Sequence, residues 1–160
     1  RVHGQLHALF LARAQQHAAI LASLRRAAPL LEAANVTLLV EPLNDVKDHK
    51  GYYLTDSLEG FALVEEAGSP RVRLLYDVYH QLHMGEDVLS RIEAHLPLIG
   101  HFHIAGFPDR DEKLFGGGFD YRALFALLRE RSVQVPVGVE LFPSDAAQTP
   151  ELLAKLLPFA

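Results

Sequence analysis

The sequence predicts an α/β protein of the (β/α) barrel kind, in which one long helix precedes four βα units that make up half of an eight-stranded barrel. Three observations carry this. Four short apolar runs, VTLLVE (36–41), VRLLYD (72–77), LIGHFHIA (98–105) and VPVGVELF (135–142), read as strands buried on both faces. Each leads into a stretch with helical spacing of apolar residues, and strand starts recur every ~26 to 37 residues, the size of a βα repeat in a parallel sheet. Those two observations allow an open doubly wound sheet as readily as a barrel. The third separates them: an ionisable residue stands at the C-terminal end of every run, Glu41, Asp77, His103 and Glu140. Because side chains alternate along a strand, Leu39 and Glu41, Leu75 and Asp77, His101 and His103, and Gly138 and Glu140 each share a face, and in a barrel the four polar ends converge.

The elements follow in order. An amphipathic stretch from about Gln5 to Ala34 has Leu6, Leu9, Phe10, Ala14, Ile20, Leu24 and Leu31 as its apolar positions. Pro29 is expected to kink or break it, since proline removes one hydrogen bond and crowds the preceding turn. After the first strand, TDSLEGFALVEEAG offers Asp56 and Glu59 at capping-box spacing, an apolar stripe of Leu58, Phe61, Ala62 and Val64, and Gly68 as a stop. The second strand is followed by EDVLSRIEAHLP, closed by Pro97, and the third by a Gly-rich loop and FDYRALFALLRER with Asp120 as N-cap. The fourth leads to TPELLAKLL, where Pro150 suits a first helical position. No linker or low-complexity segment interrupts the pattern, so residues 1–160 read as a single domain, with 1–35 the leading helix and 36–160 the four βα units.

Composition narrows the function. At 160 residues, 49% hydrophobic and 22% charged, the chain can bury a core, and disorder is excluded. No apolar run approaches the ~18 to 20 residues of a membrane span, and residues 1–30 lack the pattern of a secretory signal, so the expectation is a cytoplasmic protein with no membrane partner. The absence of cysteine rules out disulfide scaffolds, thiolate metal sites and cysteine nucleophiles. A net charge of −5 argues against nucleic acid as a partner.

A single Asp or Glu at a strand end is ordinarily a loop residue or a helix cap; four in four successive strands are harder to dismiss. Three carboxylates buried near one another would be costly without a cation between them. One divalent metal ion resolves that conflict. Three carboxylates and one imidazole without thiolate favour Mn²⁺ or Mg²⁺, with Co²⁺ and Zn²⁺ as alternatives.

Several phrases are shared with a known group. EPLN (41–44), GYYLTDS (51–57), LLYDVYHQLHMGED (74–87), GHFHIAGFPDRDE (100–112), FDY (119–121) and VGVELFP (137–143) resemble, in order and spacing, the hydroxypyruvate isomerase group. That group belongs to the xylose isomerase-like TIM barrels, which also include ketose 3-epimerases and DNA-repair enzymes of the endonuclease IV type. The resemblance implies that Glu41, Asp77, His103 and Glu140 are metal ligands from strands five to eight. It implies that Glu41 and Glu140 are the acid/base pair of an aldose–ketose isomerisation through an enediolate, and that His80 and Arg110 bind substrate. Two departures bear on the substrate. Hydroxypyruvate isomerases commonly carry glutamine in a phrase like HVQIA, where this chain has HFHIA with His103, as the epimerase branch does. After the arginine their pattern runs through EPGTGE, whereas here Glu112 is followed by KLFGGG.

The expected partner is thus a small keto acid or sugar, with a ketose 3-epimerase as the alternative within the superfamily. An endonuclease IV-type phosphodiesterase is the alternative from another class, though GFPDRDEKLFGGG lacks the Asp-x-His phrase that its metal cluster needs. A catalytically silent binding module is disfavoured by the presence of both Glu41 and Glu140. Gly116, Gly117 and Gly118 read as a hinge or turn, since no Lys-Ser/Thr follows to make a phosphate loop. His101, on the inward face, reads as a core residue, and His80 as a loop residue just past its strand. A barrel needs ~250 residues, so the expectation is a fragment of a longer barrel, the C-terminal half, or a homo-oligomer closing its open edges.

Overall fold

A computed structural model describes residues 13–145, 147, 149–156 and 158. Helix α1 spans Arg13–Ala34, strand β1 Leu38–Val40, helix α2 Ser57–Ala67 and strand β2 Val72–Asp77. Two helices then follow, α3 (Val78–His83) and α4 (Val88–His95), with a 3-10 turn leading into strand β3 (Ile99–Ile104). Helix α5 (Tyr121–Glu130), strand β4 (Val137–Val139) and helix α6 (Thr149–Leu156) complete the chain. The first part of the expected long helix, including Leu6, Leu9 and Phe10, lies outside the described residues.

All four strands are parallel and stand in sequence order, β1-β2-β3-β4, as βα units of a barrel require. The sheet has two chemically different faces. Val40, Val72, Leu74, Tyr76, Ile99, Phe102 and Ile104 pack into one apolar core with Phe61, Leu63 and Val64 of α2, Ile92 of α4 and Leu124 of α5. Leu39, Arg73, Leu75, Asp77, His101 and His103 alternate with these and occupy the other face. An irregularity keeps that division intact across β3. Register steps from Leu74 opposite Ile99 to Leu75 opposite His101, so Gly100 is an extra residue and Ile99 and Phe102 share the helix-covered face despite being three apart. A Cβ on Gly100 would lie 2.7 Å from that of Arg73 and 2.9 Å from Leu39 Cδ2, so only glycine fits the bulge.

Local expectations fared unevenly. Asp56, Asp87 and Asp120 cap α2, α4 and α5 by accepting from backbone N–H groups. The capping box at Asp56 does not close, because the Glu59 carboxylate turns instead to Arg13, His17 and Tyr53. Leu58 is exposed, and α2 buries Gly60, Phe61, Leu63, Val64 and Ala67. Pro29 neither ends nor splits α1, which runs on to Ala34. Proline and Arg25, whose carbonyl loses its donor, are both exposed, where water can serve that carbonyl. Pro150 falls second in α6, within the first turn where proline is tolerated. β1 and β4 are shorter than expected; both are edge strands with one neighbour each.

Candidate functional site

The C-terminal ends of the strands set each side chain. Glu41 follows β1 directly. Asp77 ends β2 and also caps α3, its Oδ1 accepting from the backbone N–H of His80 at 3.2 Å. His103 lies next to the end of β3, and Glu140 follows β4, its N–H extending the ladder to the Ile104 carbonyl at 3.0 Å. Gly138 leaves room for the imidazoles: a Cβ there would lie 2.9 Å from His101 Nε2 and 3.0 Å from His103 Cδ2.

The four residues meet. One ligand atom from each of Glu41, Asp77, His103 and Glu140 lies within 4.8 Å of all the others, the one such cluster of His, Asp and Glu among the described residues. His103 Nδ1 is buried with no hydrogen-bond partner, yet faces Glu140 Oε2 at 3.2 Å, Glu41 Oε1 at 3.7 Å and Asp77 Oδ2 at 3.9 Å. Three carboxylate oxygens turned toward one unpartnered ring nitrogen form a donor set that a divalent cation fits, and an oxygen-rich one. The cluster is electrostatically loaded. Burial, with Asp77 and Glu140 beside it, pushes the Glu41 carboxyl up to about 7. Burial likewise raises Asp77 to about 6, against the pull of the His80 N–H and of Arg110. Both shifts are those expected of acids crowded together out of water.

Arg110 joins the group rather than standing in solvent. Its side chain is 12% exposed, with Nη2 2.7 Å from Glu140 Oε2 and 3.8 Å from Asp77 Oδ2. Its guanidinium also lies over the rings of Tyr79 and Phe142. The backbone there is left-handed, with φ of 58°, and is held by the Arg110 N–H to the Gly106 carbonyl and the Phe142 N–H to the Arg110 carbonyl, both 2.7 Å.

His80 is not in a loop. It sits on α3, which begins at the residue after Asp77, and is 1% exposed with Nε2 3.6 Å from Asp77 Oδ2. Burial, with Arg110 and His49 nearby, lowers it to about 3, so the ring is neutral. His101 is half-buried rather than a core residue, its ring 5.0 Å from that of His103. All six predicted residues are therefore brought together. Sequence reasoning missed Asn44, fully buried and bonded to His80, and behind it Asp48 and Tyr79. The EPLN phrase held the signal, since an asparagine buried three residues after Glu41 must find several hydrogen-bond partners.

A model of the family described as xylose isomerase-like TIM barrel matches residues 2–158. The chain belongs to that family. Its relatives include the hydroxypyruvate isomerase of Escherichia coli, 30% identical over 134 residues, which cover 84% of this chain and 51% of that protein. The 2-oxo-tetronate isomerase of Cupriavidus necator is 33% identical over 131 residues, 82% of this chain and 50% of the relative. Among solved structures, an AP endonuclease, family 2 protein from Brucella melitensis superposes with a TM-score of 0.84 at 32% identity, covering 94% of this chain and 57% of that one. The chain spans about half the length of the curated relatives it matches. Four parallel βα units are what half of a TIM barrel contains. No helix among the described residues is long and apolar enough to cross a membrane.

Proposed function

We propose that the protein is a metal-dependent aldose–ketose isomerase of a small keto acid, with hydroxypyruvate and tartronate semialdehyde as the substrate pair. The observation that carries this reading is the convergence of Glu41, Asp77, His103 and Glu140 around one unpartnered imidazole nitrogen; the isomerase relatives supply the reaction class. The four residues would hold one divalent ion, Mg²⁺ or Mn²⁺ by the chemistry of the donors, which when bound supplies positive charge opposite the oxygens where negative charge develops. The four βα units here act as the C-terminal half of the complete barrel.

The proton work falls to the two glutamates. One carboxylate takes the proton from the substrate's C3, the C3–H electron pair forms the C2–C3 double bond, and the carbonyl π pair moves onto the C2 oxygen to give an enediolate. The resulting carboxylic acid, or its partner glutamate, returns a proton to C2, and the C3 oxygen becomes the aldehyde as its hydroxyl proton passes to the C2 oxygen. A group pushed to about 7, as Glu41 is before a cation enters, is balanced between taking and giving a proton. Arg110 offers a two-pronged partner for the substrate carboxylate. His80 faces the same centre through Asp77 as a neutral donor.

Glu140→Gln tests the acid/base pair, since it removes a proton carrier and keeps the shape. Turnover of hydroxypyruvate should fall by about 10² to 10⁴ while substrate binding persists; near-normal turnover would refute the role. Assaying free ketohexoses beside hydroxypyruvate decides the branch. Faster epimerisation of a ketohexose, the outcome His103 favours, would move the assignment to the 3-epimerases. Cleavage of abasic DNA without keto turnover would replace both.

A further inference from the structure

We propose that Asn44 is a positioning residue that locks His80 in the tautomer bearing its proton on Nε2, so that a hydrogen-bond donor, and never a lone pair, faces Asp77 and the substrate site. The tautomer follows from counting donors and acceptors, beginning with the orientation of the Asn44 amide. Asn44 Oδ1 accepts the backbone N–H groups of Lys47 at 2.9 Å and Asp48 at 3.0 Å. Reversing the amide would set its NH₂ against two N–H donors, so Nδ2 is the atom on the far side. Its two hydrogens are then both used: one goes to Asp48 Oδ2 at 3.0 Å, the other to His80 Nδ1 at 2.7 Å. A contact that short between an amide NH₂ and a ring nitrogen requires a lone pair on Nδ1. The ring is therefore neutral with its proton on Nε2.

The relay is held from behind. Asp48 Oδ2 also accepts the Tyr79 hydroxyl at 2.9 Å, so the carboxylate that orients the amide is itself fixed. The carbonyl of Pro42, in the same EPLN phrase, accepts the Gln81 side chain at 2.9 Å, tying that phrase to α3. Asn44 and His80 are 0% and 1% exposed, leaving no room for water to substitute at Nδ1. The opposite tautomer would point an Nε2 lone pair at Asp77 Oδ2, 3.6 Å away. That would repel the carboxylate and offer the cation a competing ligand. With Nε2 protonated, its one hydrogen faces the Asp77 carboxylate from beyond hydrogen-bond distance, 3.6 Å, and can donate to a substrate oxygen that gains charge as the C–H proton leaves, the ring keeping that proton throughout.

This rests on the isomerase reading for the substrate oxygen but not for the tautomer, so the two can fail separately. Exchanging the two residues, Asn44→Asp with Asp48→Asn, keeps the net charge and the backbone bonds. The carboxylate introduced at position 44 can accept from the amide introduced at position 48, whose carbonyl can still accept from Tyr79. Only the partner of His80 Nδ1 changes, from donor to acceptor. The probe is ¹⁵N NMR of histidine-labelled, full-length protein loaded with Mg²⁺. The parent should show His80 Nε2 as the protonated nitrogen, the exchanged variant Nδ1. Activity on hydroxypyruvate should drop about 100-fold in kcat with a much smaller change in KM, and Asp48→Asn alone should keep the parental tautomer. A parental Nδ1–H or imidazolium signal would overturn the proposal, as would an unchanged tautomer in the exchanged variant. Should the protein turn over no keto acid while the tautomer switches as stated, the substrate role fails and the lock stands.

Discussion

Lowering the pH from 8 to 6 should weaken divalent-cation binding by about 20-fold, because the cation and protons compete for the same carboxylates. The size comes from the two raised acids. Glu41, pushed to about 7 by burial and its acidic neighbours, is about nine-tenths ionised at pH 8 and about one-tenth at pH 6, a factor of about ten. Asp77, raised to about 6, goes from fully ionised to half ionised, a further factor of about two. Each must shed its proton to act as a ligand, so affinity falls as pH falls, with most of the change between pH 7.5 and 6. Isothermal titration with Mn²⁺ at fixed ionic strength, in buffers of different ionisation enthalpy, reads both the constant and the protons released. Release of about 0.6 proton per ion at pH 7, rising toward about 1.4 at pH 6, is the companion signature. An affinity flat from pH 6 to 8, or one that rises on acidification, would refute the crowded-carboxylate reasoning.

Two further outcomes follow from the same geometry. Gly138→Ala places a Cβ against the His101 and His103 rings, so it should cost about 10- to 100-fold in cation affinity, measured by the same titration. In the presence of chelator the protein should be more stable at pH 5 than at pH 8. Raised folded-state pKa values for Glu41 and Asp77 mean that the folded chain holds protons the unfolded chain has lost, so their contribution is full below about 4 and is lost as pH rises through 6 to 7. Between pH 5 and pH 8 the loss is about 4 kcal/mol, and saturating Mn²⁺ should reverse the trend in a thermal melt.

The sheet and the convergence of Glu41, Asp77, His103 and Glu140 were legible for a simple physical reason. Strands buried under helices must be apolar, so an ionisable residue at each strand end stands out against its run, and the period of two assigns it a face. Arg110 was legible by resemblance alone; that its guanidinium reaches Glu140 and Asp77 depends on a left-handed backbone turn that arginine does not advertise. His80 was recognised but misplaced. Asp77 ends its strand and caps a helix in the same residue, so no turn signal separates β2 from α3. Asn44 was missed because its role depends on two backbone N–H groups, a carboxylate and an imidazole 36 residues away, none of which has a periodic signature. Of the two outcomes expected at Pro29, the break does not occur, since Arg25 and Pro29 lie on the exposed side of the helix, where water can satisfy the carbonyl that loses its donor.

The most direct measurement is anomalous diffraction from a crystal of the protein equilibrated with Mn²⁺, with the metal content of the same preparation determined by mass spectrometry. One ion per chain should appear between the ends of β1 to β4, with Glu41, Asp77, His103 and Glu140 at about 2.0 to 2.4 Å, and Asp77→Ala should abolish it. An anomalous peak elsewhere, or no peak with the four side chains turned apart, would contradict a single metal centre at the strand ends.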